Sequence, residues 1–195
     1  VEPFADREAD ILISTQMFVK VHDVSNVTLV GVLAAYLSLY ASDYGAGERT
    51  FQLLTQAAGR AGRGAAAGEV VIQTDSPEHY SNVTAARQDY ELFYHQEMEY
   101  RALAGYPPAE QIMAVLMTAQ DEELLEKAAD YLTKYAHLRI DKEPQRSIGL
   151  VGPTTPYISK KQDIYRRVIY IKCPSYDTLI VLKDYLEEYI DMNQG

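Results

Sequence analysis

The chain begins with short apolar runs separated by polar and glycine-rich stretches. Ala9–Ser14 (ADILIS) is a compact apolar block and predicts a buried strand. Asn26–Leu33 (NVTLVGVL) is a second block, rich in β-branched residues and almost uninterrupted. Continuous apolar strands of this kind fit a parallel sheet covered on both faces. Between Glu48 and Ala58 the apolar residues Phe51, Leu54 and Ala58 recur at helical spacing. Gly64 and Gly68 break that pattern, and Glu69–Thr74 (EVVIQT) reads as a further strand. The order strand, loop, strand, helix, strand is the end of an α/β domain, with two or three more strands expected before Ala9.

From about Pro77 to Tyr106 the pattern is amphipathic and helical, closed by Gly105 and the pair Pro107-Pro108. A second arrangement follows. Gln111–Thr118 is a predicted strand, and Glu122–Leu138 a helix with Leu125, Ala128, Leu132 and Tyr135 on one side. Ser147–Val151 is a strand, GPTTPYISKKQD a loop, Ile164–Lys172 a strand and Tyr176–Ile190 a final helix. This β-α-β-β-α order is a ferredoxin-like half-sandwich short of its last strand. The expected division is residues 1–76, an α/β portion with a parallel sheet; 77–104, a helical connector; and 105–195, an α+β domain.

Composition narrows the class. An apolar fraction of 47% with 24% charged residues is that of a soluble globular protein. The acidic start VEPFADREAD has no apolar targeting core. No run approaches the roughly 20 apolar residues of a membrane span. One cysteine, Cys173, permits neither an internal disulfide nor a Cys-rich zinc site. These features point to a cytoplasmic protein, and a first residue other than Met suggests a piece of a longer chain. The formal charge is −10, which argues against wholesale wrapping by nucleic acid. Charge is uneven, however: residues 89–143 hold twelve acids against five Lys/Arg, whereas residues 151–173 hold five Lys/Arg against Asp163 alone. The second stretch, with Lys160, Lys161, Arg166 and Arg167, is either a solvated hairpin or a contact for phosphate or an acidic peptide.

The chemistry concentrates in TQAAGRAGRG, residues 55–64. Arg60 and Arg63 stand three apart among glycines and alanines, directly after the predicted helix. Either they are chance cations beyond a helix end, or they are guanidiniums offered to a phosphate across a surface kept free of bulk. The spacing Gln56-x-x-Gly59-Arg60-x-Gly62-Arg63 resembles motif VI of superfamily 2 helicases. Upstream, Ser14-Thr15-Gln16-Met17-Phe18-Val19-Lys20-Val21-His22-Asp23 resembles motif V of the PriA family of bacterial primosomal replication-restart helicases (primosomal protein N′). NVTLVGVL, ERTFQLLTQAAGRAGRG, GEVVIQT, SPEHY, LAGYPP and GLVGPTTPYISK resemble the same family in the same order, so the likeness runs along nearly the whole chain. Departures from its pattern fall at Val21, Ser14, Ala34-Ala35-Tyr36 and Gly45.

The resemblance implies the end of a RecA-like second helicase lobe followed by a ferredoxin-like C-terminal domain. It implies that Arg60, Arg63 and Gln56 serve the γ-phosphate of ATP, and that Thr15, Gln16, Lys20 and Asp23 couple ATP to DNA. It further implies that the C-terminal domain, through Lys160, Lys161, Arg166 and Arg167, contacts forked or single-stranded DNA, the acidic tail of single-stranded DNA-binding protein, or other primosome proteins. ATP and Mg²⁺ belong to the whole protein, and zinc to an upstream insertion. The chain has no G-x-x-x-x-G-K-[ST] phosphate loop and no D-E-x-H box, so it is expected to bind no cofactor and to hydrolyse no ATP alone. The alternative is a non-enzymatic nucleic-acid or protein adaptor with a vestigial motor half. His22, His79, His95 and His137 lack metal-ligand spacing.

Overall fold

A computed structural model describes residues 2–6, 8–15, 27–40, 43–62, 67–142 and 146–193. The chain divides into two compact units, Val1–Glu99 and Tyr100–Gly195. The first contains helix α1 (Glu2–Ala5), strand β1 (Leu29–Val32), helices α2 (Tyr36–Leu39) and α3 (Ala46–Ala58), strand β2 (Glu69–Ile72), helix α4 (Tyr80–Arg87) and most of helix α5 (Tyr90–Ala104). β1 and β2 pair in parallel, Leu29 opposite Glu69 and Val32 opposite Ile72. Phe51 and Leu54 of α3 pack with Ala35, Ala85 and Phe93 against Val32 and Ile72. The rings of Phe51 and Phe93 stack at 4.1 Å.

Three expectations need correction in this unit. Ala9–Ser14 forms no strand, and Ile11 and Ile13 are exposed. Their apolar pattern lacks a ladder partner among the described residues, so the backbone stays irregular. Among the described residues the parallel pair is covered on one face only: Leu29 and Val71, on the face away from α3, are more than half exposed. The helical stretch from Pro77 is two helices. Gln88 takes a left-handed conformation (φ 54°) and ends α4, whereupon Asp89 Oδ1 accepts the Leu92 N–H at 2.9 Å and caps α5.

The second unit contains β3 (Gln111–Ala119), α6 (Glu122–Ile140), β4 (Gly149–Thr154), β5 (Lys160–Lys161), β6 (Ile164–Cys173) and α7 (Tyr176–Met192). The sheet is antiparallel, in the order β3-β6-β4, with β5 paired to β6. Asp121 and Ser175 cap α6 and α7 through the N–H groups of Leu124 and Thr178. Leu132 and Ala136 of α6 and Leu179, Leu182 and Leu186 of α7 bury one sheet face around Ile169, Ile171 and Cys173. The predicted loop GPTTPYISKKQD is strand at Gly152, Pro153 and Thr154 and at Lys160 and Lys161, and irregular between. β4 continues to Thr154 through a bulge, and Lys161 pairs with Ile164 across Gln162 and Asp163, both at positive φ. That is the geometry of a two-residue hairpin turn.

The LAGYPP stretch joins α5 to this sheet. Gly105 adopts φ 61°, and the Tyr106 N–H reaches back to the Arg101 carbonyl at 2.8 Å, closing the helix. The Lys172 ammonium donates to the Ala104 carbonyl at 2.8 Å and lies 4.2 Å from the Tyr106 ring centroid. Arg101 donates to the Pro107 carbonyl at 3.0 Å. A cation at the last carbonyls of a helix also complements its dipole.

Candidate functional site

The first candidate site is the turn after α3. The helix tightens as it ends: the Gly59 N–H reaches the Thr55 carbonyl at 3.0 Å, while those of Arg60 and Ala61 reach Ala57 and Ala58 at 3.1 and 3.2 Å. Gly62 then swings to φ 75° and donates its N–H to the Val27 carbonyl at 2.9 Å, just ahead of β1. The backbones of Gly62 and Gly68 touch. A Cβ at Gly62 would lie 2.8 Å from the Gly68 nitrogen, and one at Gly68 would collide with Gly62 and Ala61. Those two glycines are therefore explained by the turn itself. Gly59 is different: a Cβ there meets nothing nearer than the Thr55 carbonyl at 3.5 Å.

Gln56, on the last turn of α3, is exposed, and Arg60 is half-buried. The structure thus brings two of the three motif VI side chains to one end of one helix. Arg63 lies outside the described residues. So do Gln16, Lys20, Val21 and Asp23 of motif V. Thr15 is described, exposed and in irregular backbone; no described contact ties it to Arg60.

The other end of α3 is held by residues outside the motif VI pattern. Glu97 on α5 is buried and accepts from the Tyr80 hydroxyl at 2.6 Å. Both oxygens stand where a Cβ on Gly47, in the first turn of α3, would come within 2.8 Å. The glycine, costly within a helix, is explained by this close approach. A carboxylate at a helix N-terminus also complements the dipole. Ahead of the same turn, Asp43 accepts from Arg49 at 2.6 Å and from the Gly45 N–H at 2.7 Å. The Arg49 hydrogen bond holds the Asp43 carboxyl below its usual range. No local sequence signal marks Glu97, because its partners lie 17 and 50 residues away.

The second candidate is the basic hairpin, and strand alternation divides it. Arg167 shares the helix-covered face with Ile169 and Ile171. Its side chain is only 11% exposed and bonds Glu122 at 3.1 Å and Glu126 more closely, both on the first turns of α6. These carboxylates raise the Arg167 pKa, Glu126 foremost. Lys160, opposite Tyr165, is on the same side; its ammonium lies 3.1 Å from Asp163 and 4.5 Å from the Tyr165 ring centroid. The hydrogen bonds it donates to Asp163 and Tyr165 raise its pKa. Lys161 and Arg166 alternate to the other face. Two of the four cations thus already hold carboxylates, and two do not share that arrangement.

Among the described residues no three His, Cys, Asp or Glu side chains converge to hold a metal ion. No helix among them is long and apolar enough to cross a membrane.

The fold and these sites define a mixed α/β protein in which a parallel strand pair carries a glycine–arginine turn and a helix-backed antiparallel sheet carries a basic hairpin. No protein-family model matches the chain. It is similar to replication restart protein PriA of Bacillus subtilis, 42% identical over 187 residues, covering 95% of this chain and 23% of that protein. It is 39% identical over 171 residues to PriA of Chlamydia pneumoniae and 34% identical over 181 residues to PriA of Synechocystis, covering 87% and 93% of this chain and 22% and 21% of those proteins. The likeness to PriA replication restart proteins runs along nearly the whole of this chain. The chain spans less than a quarter of the length of these relatives.

Proposed function

We propose that this chain is a C-terminal part of an ATP-dependent 3′-to-5′ DNA helicase of replication restart and primosome assembly. In this reading residues 1–76 are the end of a RecA-like second motor lobe, 77–104 a connector, and 105–195 a ferredoxin-like module for forked or single-stranded DNA, the acidic tail of single-stranded DNA-binding protein and primosome partners. The β-α-β-β-α order with β6 central supports the ferredoxin-like assignment. The protein works in the bacterial cytoplasm, at the nucleoid.

The observation that carries the motor half is the turn. Gln56 and Arg60 leave the end of α3 together while Gly62 anchors the following backbone beside β1. A guanidinium so placed, with Arg63 next in sequence, suits the γ-phosphate of ATP presented from another lobe. ATP with Mg²⁺ supplies a transferable phosphoryl group there. Arg60 and Arg63 would meet the charge that develops on it. Gln56 would orient the nearby polar groups, and Thr15, Gln16, Lys20 and Asp23 would relay the nucleotide state to DNA. The described residues fit this one side of a nucleotide. They offer no metal cluster and no phosphate loop, so Mg²⁺ and the remaining phosphates belong to other parts of the whole protein, as does the zinc insertion.

The test is kinetic. Alone with DNA, this chain is expected to release no phosphate from ATP. Joined to a lobe that carries a phosphate loop, Arg60→Ala is expected to lower kcat by about 10³–10⁵ with KM little changed. An unaltered kcat would remove Arg60 from this role.

A further inference from the structure

One face of the second unit's sheet is covered by neither α6 nor α7, although the last carbonyl of α5 meets it at Lys172. Met113, Val115, Met117, Ile169 and Ile171 point toward α6 and α7. By the period of two, Leu116, Val168 and Tyr170 point away, joined across the register by Val151. Leu116 is 47% and Val151 53% exposed, whereas Val168 between them is buried and Tyr170 is partly exposed. Tyr170 sits in the middle strand with no ring contact and no hydroxyl partner among the described residues. Tyr106, Tyr135 and Tyr165, by contrast, each meet a cation or another ring.

Charge on this face is one-sided. Lys161 and Arg166 lie at one end; Lys172, about 20 Å along the strand for six residues at ~3.3 Å each, is already held by the Ala104 carbonyl and the Tyr106 ring. No Asp or Glu occurs anywhere in β3, β4 or β6, although the chain has 28 acids. A flat apolar surface with an unengaged aromatic ring and flanking cations is what unpaired bases with a phosphate backbone require. An acidic peptide would use the cations but leave the flat apolar centre without purpose. A duplex, with its bases stacked internally, offers the ring nothing.

We propose that the open face of the β3-β6-β4 sheet is a stacking platform for single-stranded nucleic acid, with Tyr170 under a base and Arg166 and Lys161 on the phosphates. This rests on the reading of the second unit as a nucleic-acid-binding module, and moves the contact from the hairpin to the sheet. Arg167 and Lys160 lie outside it, on the helix-covered side.

The experiment is fluorescence anisotropy of the full chain with a short labelled oligothymidylate, a blunt duplex of equal length and an acidic peptide. Tyr170→Leu keeps an apolar side chain and removes the ring, and Leu116→Glu puts a negative charge beside it. Each is expected to weaken oligothymidylate binding about tenfold or more, while Lys127→Ala on the solvent side of α6 changes nothing. Circular dichroism checks that each variant folds, and Val151→Glu serves where Tyr170→Leu does not. Oligothymidylate binding that survives the sheet variants but is lost with Lys160 and Lys161 changed to Ala overturns the platform and leaves the hairpin as the contact. Variants that release only the peptide overturn the choice of ligand. Absence of binding to either nucleic acid by the parent chain overturns both the platform and the reading beneath it.

Discussion

Gly59, Gly62 and Gly68 have the same side chain and different reasons for it. Gly62 is at positive φ with its backbone against Gly68, so Gly62→Ala and Gly68→Ala are each expected to cost about 1–3 kcal/mol in urea unfolding. Gly59 has right-handed helical backbone at φ −65° and room for a methyl group. Gly59→Ala should be neutral or stabilise by up to about 1 kcal/mol. If that variant is stable but inactive within a complete motor, the glycine at 59 serves the approach of a partner surface rather than the fold. Equal losses at all three positions would contradict this division.

His79 shows how one side chain gives a helix a pH dependence. Its Nδ1 accepts the Ser81 N–H at 3.2 Å as the cap of α4. Burial lowers its pKa, opposed by the charge of Glu97. A lowered pKa in the folded state means that the unfolded chain takes the proton first. The contribution to stability is therefore complete above the unfolded value of about 6.5 and is lost as pH falls through it toward the folded value. His79→Asn keeps a capping acceptor but cannot titrate. The urea midpoint of this variant is expected to fall less than that of the parent between pH 8 and pH 5; parallel falls would show that the pH dependence lies elsewhere.

At the scale of elements, Arg167 links β6 to the start of α6, two elements that the sequence separates by 41–45 residues. A double-mutant cycle between Arg167→Ala and Glu126→Ala is expected to give a coupling of a few tenths to about 1 kcal/mol, smaller in high salt because Glu126 is half exposed. No coupling would return Arg167 to the pool of cations available to a partner. This pairing also marks what could be read from sequence and what could not. Long periodic elements were legible: β3, α6, β6 and α7 lie within a residue or two of their predicted bounds, because apolar period and an Asp or Ser cap agree there. The helix break at Gln88 was not, since no Gly or Pro announces it. Nor was β5, whose turn uses Gln162-Asp163 in place of the usual Asn-Gly. The run ADILIS misled because an apolar pattern records what a segment can bury and says nothing of whether a partner is present. For the candidate sites, the spacing of Gln56 and Arg60 put both at one helix end, where the structure has them; their role rests on the resemblance. Glu97, Tyr80 and the committed state of Arg167 depend on contacts between distant residues, which no local pattern encodes.

At the scale of the molecule, the second unit holds everything that a small domain needs. Its core runs from Met113 to Tyr189 and draws Leu132, Ala136, Leu179, Leu182 and Leu186 from two capped helices onto one sheet face. Its entrance is closed by Gly105 and by the bonds that Lys172 and Arg101 make to Ala104 and Pro107, all within the unit. A fragment of residues 100–195 is therefore expected to fold by itself and to melt cooperatively, with a midpoint within a few degrees of one transition of the full chain. Gly105→Ala in that fragment should lower the midpoint by about 4–8 °C for each 1 kcal/mol lost at the left-handed position. Failure of the fragment to fold would mean that residues before Tyr100 complete its core. A cooperative fragment that still binds oligothymidylate would place the proposed platform within this unit alone.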